Sequence, residues 1–122
     1  MDAPPLILIV ASNRRNLELL DEVLTKAGFR THGVETLAGL DAALERANDF
    51  ALALLDLTGF DPSIWARCER LREAGVPFLI VSPRQSADLQ RESLSRGARG
   101  VLVKPLAARE LLQLVCALLR EG

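Results

Sequence analysis

Short runs of apolar residues alternate along this chain with longer stretches in which apolar positions recur every three or four residues. Runs without polar positions suit strands buried on both faces, and the 3.6-residue period suits helices packed over them. The pattern predicts strands over residues 6–11, 30–34, 51–56, 77–82 and 100–103. Five helices fall between and after them. The first, residues 13–27, aligns Leu17, Leu20, Leu24 and Ala27 on one face, with Asn13 suited to its start and Gly28 to its end. The second begins after Thr36 and turns Leu40, Ala43, Leu44 and Ala47 inward. The third, residues 62–74, presents Trp65, Cys68 and Leu71 and stops at Gly75. The fourth, residues 86–96, is the least apolar, with Ala87, Leu89 and Leu94 as its residues to bury, and stops at Gly97. The fifth, residues 107–120, spreads Leu111, Leu112, Leu114, Val115, Cys116, Leu118 and Leu119 over about half its circumference, wider than the roughly 100° stripe of a surface helix. Either part of that face covers a partner or the helix sits deeply against the sheet.

Strict alternation of strand and helix with right-handed crossovers predicts an α/β fold: a five-stranded, parallel, doubly wound sheet of flavodoxin-like order 2-1-3-4-5. A chain of 122 residues is long enough for one core, so residues 1–122 are read as a single domain. In such a sheet the carboxyl ends of the strands share one edge, and ligand chemistry collects outside it. Asp56 closes the third apolar run, Ser82 the fourth and Lys104 the fifth, so an acid, a hydroxyl and an amine are expected to meet there. The first run ends instead in Ala11, Ser12 and Asn13, which carry no charge. An aspartate at a strand end can attack a phosphoryl donor as a carboxylate nucleophile. Positioning and charge neutralisation are then the protein's main tasks, for which Lys104 offers a positive charge and Ser82 a hydrogen bond.

Composition narrows the classes. The formal net charge of −1 gives no general attraction to nucleic acid. No window has the length of a membrane span and the amino terminus lacks a secretory pattern, so a cytoplasmic location with no membrane partner is expected. Cys68 and Cys116 belong to no paired spacing and read as small apolar helix residues, and His32 has no second ligand nearby in sequence. Arg84, Arg91, Arg96 and Arg99 cluster around the fourth helix, but Asp88 and Glu92 interleave them, the pattern of a solvated face or a contact between protomers. A small flavodoxin-like enzyme or nucleotide-binding protein is the minor alternative. It would need a glycine-rich phosphate loop where the chain has Ala11-Ser12-Asn13-Arg14-Arg15.

Leu54-Leu55-Asp56-Leu57, Ile80-Val81-Ser82 and Gly97-Ala98-Arg99-Gly100 leading to Val103-Lys104-Pro105 together resemble the receiver domains of bacterial two-component response regulators, over essentially the whole chain. The resemblance implies a receiver fold with Asp56 as phosphoacceptor, Ser82 as the hydroxyl contacting the phosphoryl group and Lys104 as the cation pairing with it. It also implies magnesium, held by an acidic pair after the first strand together with the acceptor and the backbone carbonyl at Thr58. That pair aligns with Ala11 and Ser12, which leaves Asp56 and Thr58 as the metal candidates. Two charges about 4 Å apart interact by roughly 1–4 kcal/mol, so losing two carboxylates is expected to weaken the ion by orders of magnitude. The family's aromatic switch position is Val101, and the loop after Asp56 is shortened, with Pro62 displaced.

The expectation is therefore a degenerate receiver, not an enzyme, that signals through protein contacts with weak or absent magnesium-dependent phosphorylation. The alternative is a conventional receiver phosphorylated on Asp56 by a histidine kinase. Expected partners are a histidine kinase or another signalling protein. A homodimer through the fourth helix, fifth strand and fifth helix is also expected, using Arg91, Arg96, Arg99 and Arg109, with no direct nucleic-acid contact. The chain stops just after the fifth helix, so no output domain is expected within it.

Overall fold

The computed structural model describes residues 3–121. Five strands, β1 (Leu6–Val10), β2 (Arg30–Val34), β3 (Leu52–Asp56), β4 (Phe78–Ser82) and β5 (Gly100–Val103), form one parallel sheet in the order β2-β1-β3-β4-β5. Register brings Ile9 beside Leu54, Leu54 beside Leu79 and Leu79 beside Gly100. The helices are α1 (Arg14–Lys26), α2 (Leu37–Leu44), α3 (Ile64–Glu73), α4 (Ala87–Ser95) and α5 (Ala108–Glu121). The expected fold class and strand order are those observed.

Every residue of β3 and β4 is buried, which explains their unbroken apolar runs: each strand has a strand on either side and helices on both faces. Side chains alternate between the faces, so the core divides in two. Ile7, Ile9, Leu52, Leu54, Leu79, Val81 and Leu102 pack with Leu20 and Leu24 of α1 and Leu111, Val115 and Leu118 of α5. Leu8, Val10, Ala53, Leu55, Phe78 and Ile80 pack with Leu40 of α2 and Trp65, Cys68 and Leu71 of α3. Each fully buried Leu or Ile contributes roughly 1.5–3 kcal/mol of transfer free energy.

Local chemistry sets the boundaries. Asn13 caps α1, its side-chain oxygen accepting from the Asn16 N–H at 3.1 Å, and Ser86 caps α4 through the Leu89 N–H at 3.2 Å. Strand β4 starts one residue later than expected, because Pro77 has no N–H to give the ladder. The second helix ends at Leu44, not Ala47, and the chain tightens into a 3-10 turn at Ala47–Asp49. The third begins at Ile64, not Pro62, because the Asp61 carboxylate accepts the Ser63 N–H at 2.8 Å and holds a turn there.

Two helices differ from the sequence reading in which side they bury. On α4, Leu94 is 48% exposed and Ala87 is exposed, while Ser93 is fully buried. The Ser93 hydroxyl donates to the Leu89 carbonyl at 2.7 Å, so this polar group enters the core with its hydrogen bond made. On α5 the wide apolar face splits: Leu111, Val115 and Leu118 are buried, Leu112, Leu114 and Leu119 are half-buried, and Cys116 is exposed.

On the α2–α3 side, Arg67 donates to both Asp41 carboxylate oxygens at 2.9 Å, and Arg70 lies 3.6 Å from one of them. The hydrogen-bonded Arg67 guanidinium holds the Asp41 carboxyl below its ordinary range. A depressed carboxylate stabilises the fold above its unfolded titration range and stops doing so as pH falls through its folded one. Asp41→Asn is therefore expected to lower the urea midpoint slightly at neutral pH, with the difference from wild type closing in acid. The two thiols provide a second check, because burial pushes Cys68 up to about 12 while Cys116 is exposed. Iodoacetamide on the folded protein is expected to modify Cys116 alone, and Cys68 only after denaturant is added.

Candidate functional site

Asp56 is the last residue of β3 and is 1% exposed. By alternation it continues the face of Leu52 and Leu54, toward α1 and α5. Lys104, just beyond β5, continues the face of Leu102 and reaches back across β4, placing Nζ 2.8 Å from Asp56 Oδ2. The same Oδ2 accepts from the Asn16 side-chain amide at 3.2 Å. Oδ1 accepts the Thr58 N–H at 3.0 Å. Both carboxylate oxygens are thus engaged by donors of the chain itself.

The loop after β3 is held to the loop after β1. The Ser12 hydroxyl donates to the Thr58 carbonyl at 2.7 Å, and Lys104 Nζ donates to Thr58 Oγ1 at 3.2 Å. Gly59 permits this approach: its φ of +84° is left-handed, and a Cβ there would overlap Ser12 Oγ. A buried carboxylate without compensation costs several kcal/mol, and Lys104 supplies the compensating charge while its own side chain stays 27% exposed.

Of the three expected site residues, the structure joins Asp56 and Lys104 but not Ser82. Ser82 ends β4 on the face of Phe78 and Ile80, opposite to that of Asp56. Its hydroxyl donates to the Arg84 carbonyl at 2.6 Å and borders a separate hollow of about 300 Å³ with Gln85, Gln90, Val101 and Glu110. Asn16 is a site residue that the sequence reading missed. The signal was present: with Asn13 as the cap, a residue three positions on lies in the first turn of α1, above the strand edge.

The donor set does not fit a resident magnesium ion. Among the described residues no group of three or more His, Cys, Asp or Glu side chains is placed to hold a metal. Asp56 is neutralised by Lys104, Ser12 acts as a proton donor to the Thr58 carbonyl expected to face the ion, and Ala11 is buried with nothing to offer.

The four arginines expected at an interface do not gather into one patch. Arg91 pairs with Asp88 in its own helix. Arg96 pairs with Glu92 at 3.2 Å and lies over the Trp65 ring at 5.8 Å, toward α3. Arg99, before β5 at the amino edge of the sheet, pairs with Glu121 at 2.9 Å. Arg109 is at the other end of α5, where it borders a shallow depression with Leu112, Cys116 and Arg120. Intramolecular carboxylates thus neutralise three of the four. No helix among the described residues is long and apolar enough to cross a membrane.

No protein-family model matches the chain. Individual proteins do. The transcriptional regulatory protein HprR of Escherichia coli is 36% identical over 119 residues, covering 94% of this chain and 52% of HprR. CusR of the same organism, also a transcriptional regulatory protein, is 34% identical over 119 residues, covering 95% of this chain and 52% of CusR. The crystal structure of a CheY-like response regulator receiver domain protein from Methanospirillum hungatei superposes with a TM-score of 0.85 at 26% identity, covering 97% of this chain and 95% of that one. The chain is a receiver domain of the two-component response-regulator family. It spans about half the length of the curated relatives it matches.

Within this receiver, the Asp56–Lys104 pair is tested by a double-mutant cycle. Lys104→Ala strands a buried carboxylate and is expected to cost about 3 kcal/mol in urea unfolding, the low end for a broken buried pair because Lys104 is partly solvated. Adding Asp56→Ala is expected to recover part of that loss, a coupling that independent sites would not give.

Proposed function

We propose that the chain works as a degenerate receiver: a signalling module, not an enzyme, that acts in the cytoplasm through protein contacts without magnesium-dependent phosphorylation. The observation that carries this reading is the complete engagement of the Asp56 carboxylate by Lys104, Asn16 and the Thr58 N–H. A phosphoryl donor would have to displace these donors to reach the nucleophile, and among the described residues no group of three or more His, Cys, Asp or Glu is placed to hold a cation against the developing charge.

The proposed partners are a histidine kinase or another signalling protein, with no direct nucleic-acid contact. Transcriptional regulation is named for HprR and CusR; for this chain the proposal is limited to receiver contacts. A homodimer through α4, β5 and α5 remains part of the proposal, with the outer face of α5 around Arg109 as its centre. The conventional alternative, phosphorylation on Asp56, draws its support from the convergence of Asp56 and Lys104 on one face of the sheet edge.

Intact-mass spectrometry after incubation with phosphoramidate, with and without magnesium, separates the two readings. The expected result is folded protein with no magnesium-dependent phosphoryl adduct, in wild type and Asp56→Asn alike. A magnesium-dependent adduct in wild type that disappears in Asp56→Asn overturns the degenerate reading.

A further inference from the structure

Beside the Asp56–Lys104 pair a cleft of about 440 Å³ opens between α1 and α5, within the ~300–1,000 Å³ range of small-molecule pockets. It is an indentation rather than a flat helix face, because its lining includes Val81 and Leu111, which are 1% and 0% exposed. Leu19 and Val23 of α1 also line it, as do Leu106 and Ala108 around the start of α5. Leu19 is 50% exposed, the most of any large apolar side chain among the described residues. Apolar walls of this kind favour an apolar occupant.

The polar lining specifies the occupant's head. Lys104 has three ammonium protons, of which two are engaged, by Asp56 and Thr58. The Asn16 amide has two, of which one goes to Asp56. One N–H on each residue is left for an incoming acceptor. The acceptor should be neutral: Asp56 already cancels the charge of Lys104, the one cationic side chain among the described residues lining the cleft, and a second anion would sit beside the Asp56 carboxylate. Glu22, also in the lining, adds a further negative charge, paired with Lys26 at 2.8 Å.

We propose that this cleft binds a small apolar molecule whose neutral carbonyl oxygen accepts hydrogen bonds from Lys104 and Asn16. Such a ligand would touch α1, α5 and the Lys104–Pro105 corner together, giving the receiver an input that needs no phosphoryl transfer. The proposal goes beyond the function proposed above, and unphosphorylated protein tests it directly.

The probe is 2-octanone, titrated into the full chain and followed by ¹H–¹⁵N NMR. Saturable shifts are expected at the Asn16 side-chain amide, Leu19, Val23, Leu106 and Leu111, leaving α2 and α3 unmoved. Ala108→Trp, a substitution at an exposed position on the rim, is expected to abolish them without changing the far-UV circular dichroism. Asn16→Leu is expected to weaken binding about five-fold, the loss of one neutral hydrogen bond. Octanoate is expected to bind more weakly than the ketone. Shifts that scatter over the surface or persist in Ala108→Trp overturn the site, and tighter binding of octanoate overturns the neutral head. If the same residues shift with protein concentration alone, a second copy covers the cleft and the proposal fails.

Discussion

A carboxylate buried at the carboxyl edge of the sheet is the constraint around which this end of the molecule is arranged. Asp56 is almost fully shut off from water, and a carboxyl group in that position must be met by charge and hydrogen bonds from the chain. Lys104 brings the charge from two strands away, Asn16 brings an amide from the first turn of α1, and Thr58 brings a backbone N–H from the following loop. These contacts tie α1, the loop after β3 and the end of β5 to one point on β3. The Ser12–Thr58 hydrogen bond, made possible by the absence of a side chain at Gly59, draws the β1 loop into the same assembly.

The pleat of the sheet decides which strand ends take part. Residues paired in register on neighbouring strands share a face; Asp56 pairs with Val81, so Ser82, one position further along β4, takes the other face. Asp56 and Lys104 look toward α1 and α5, whereas Ser82 looks toward the other layer and spends its hydroxyl on the Arg84 carbonyl. A phosphoryl group on Asp56 would therefore meet Lys104 and Asn16 first. Ser82 would have to break its local bond and turn to join them.

The same donors connect this corner to the rest of the α1–α5 side. Asp56 has both oxygens engaged, while Lys104 and Asn16 each keep a proton free, so the polar residues bordering the cleft are donors left over from neutralising the carboxylate. Around α4, Arg91, Arg96 and Arg99 are each paired with an acid, in the same helix or at the end of α5.

The strands, the helices and their order were legible in the sequence, because a strand covered on both faces admits only apolar residues and a helix covered on one side repeats its apolar positions every turn. Asn13 and Ser86 announced the starts of α1 and α4 through side chains that serve backbone donors only a few residues away. That Ala11 and Ser12 bring no carboxylate to the end of β1 could also be read directly, since it concerns residue identity. What tertiary structure decided were the relations between distant segments and the rotation of each helix about its axis. Sequence alone placed Leu94 inside and gave no reason to bury Ser93; the packing of α4 reversed both, because the Ser93 hydroxyl could bond the Leu89 carbonyl within its own helix. It grouped Asp56, Ser82 and Lys104 by their shared edge, but membership of a site also depends on which face a side chain takes. It passed over Asn16, whose partner lies forty positions away. One-dimensional periodicity records whether a residue faces the core, whereas a hydrogen bond across two elements depends on distance and direction in three dimensions.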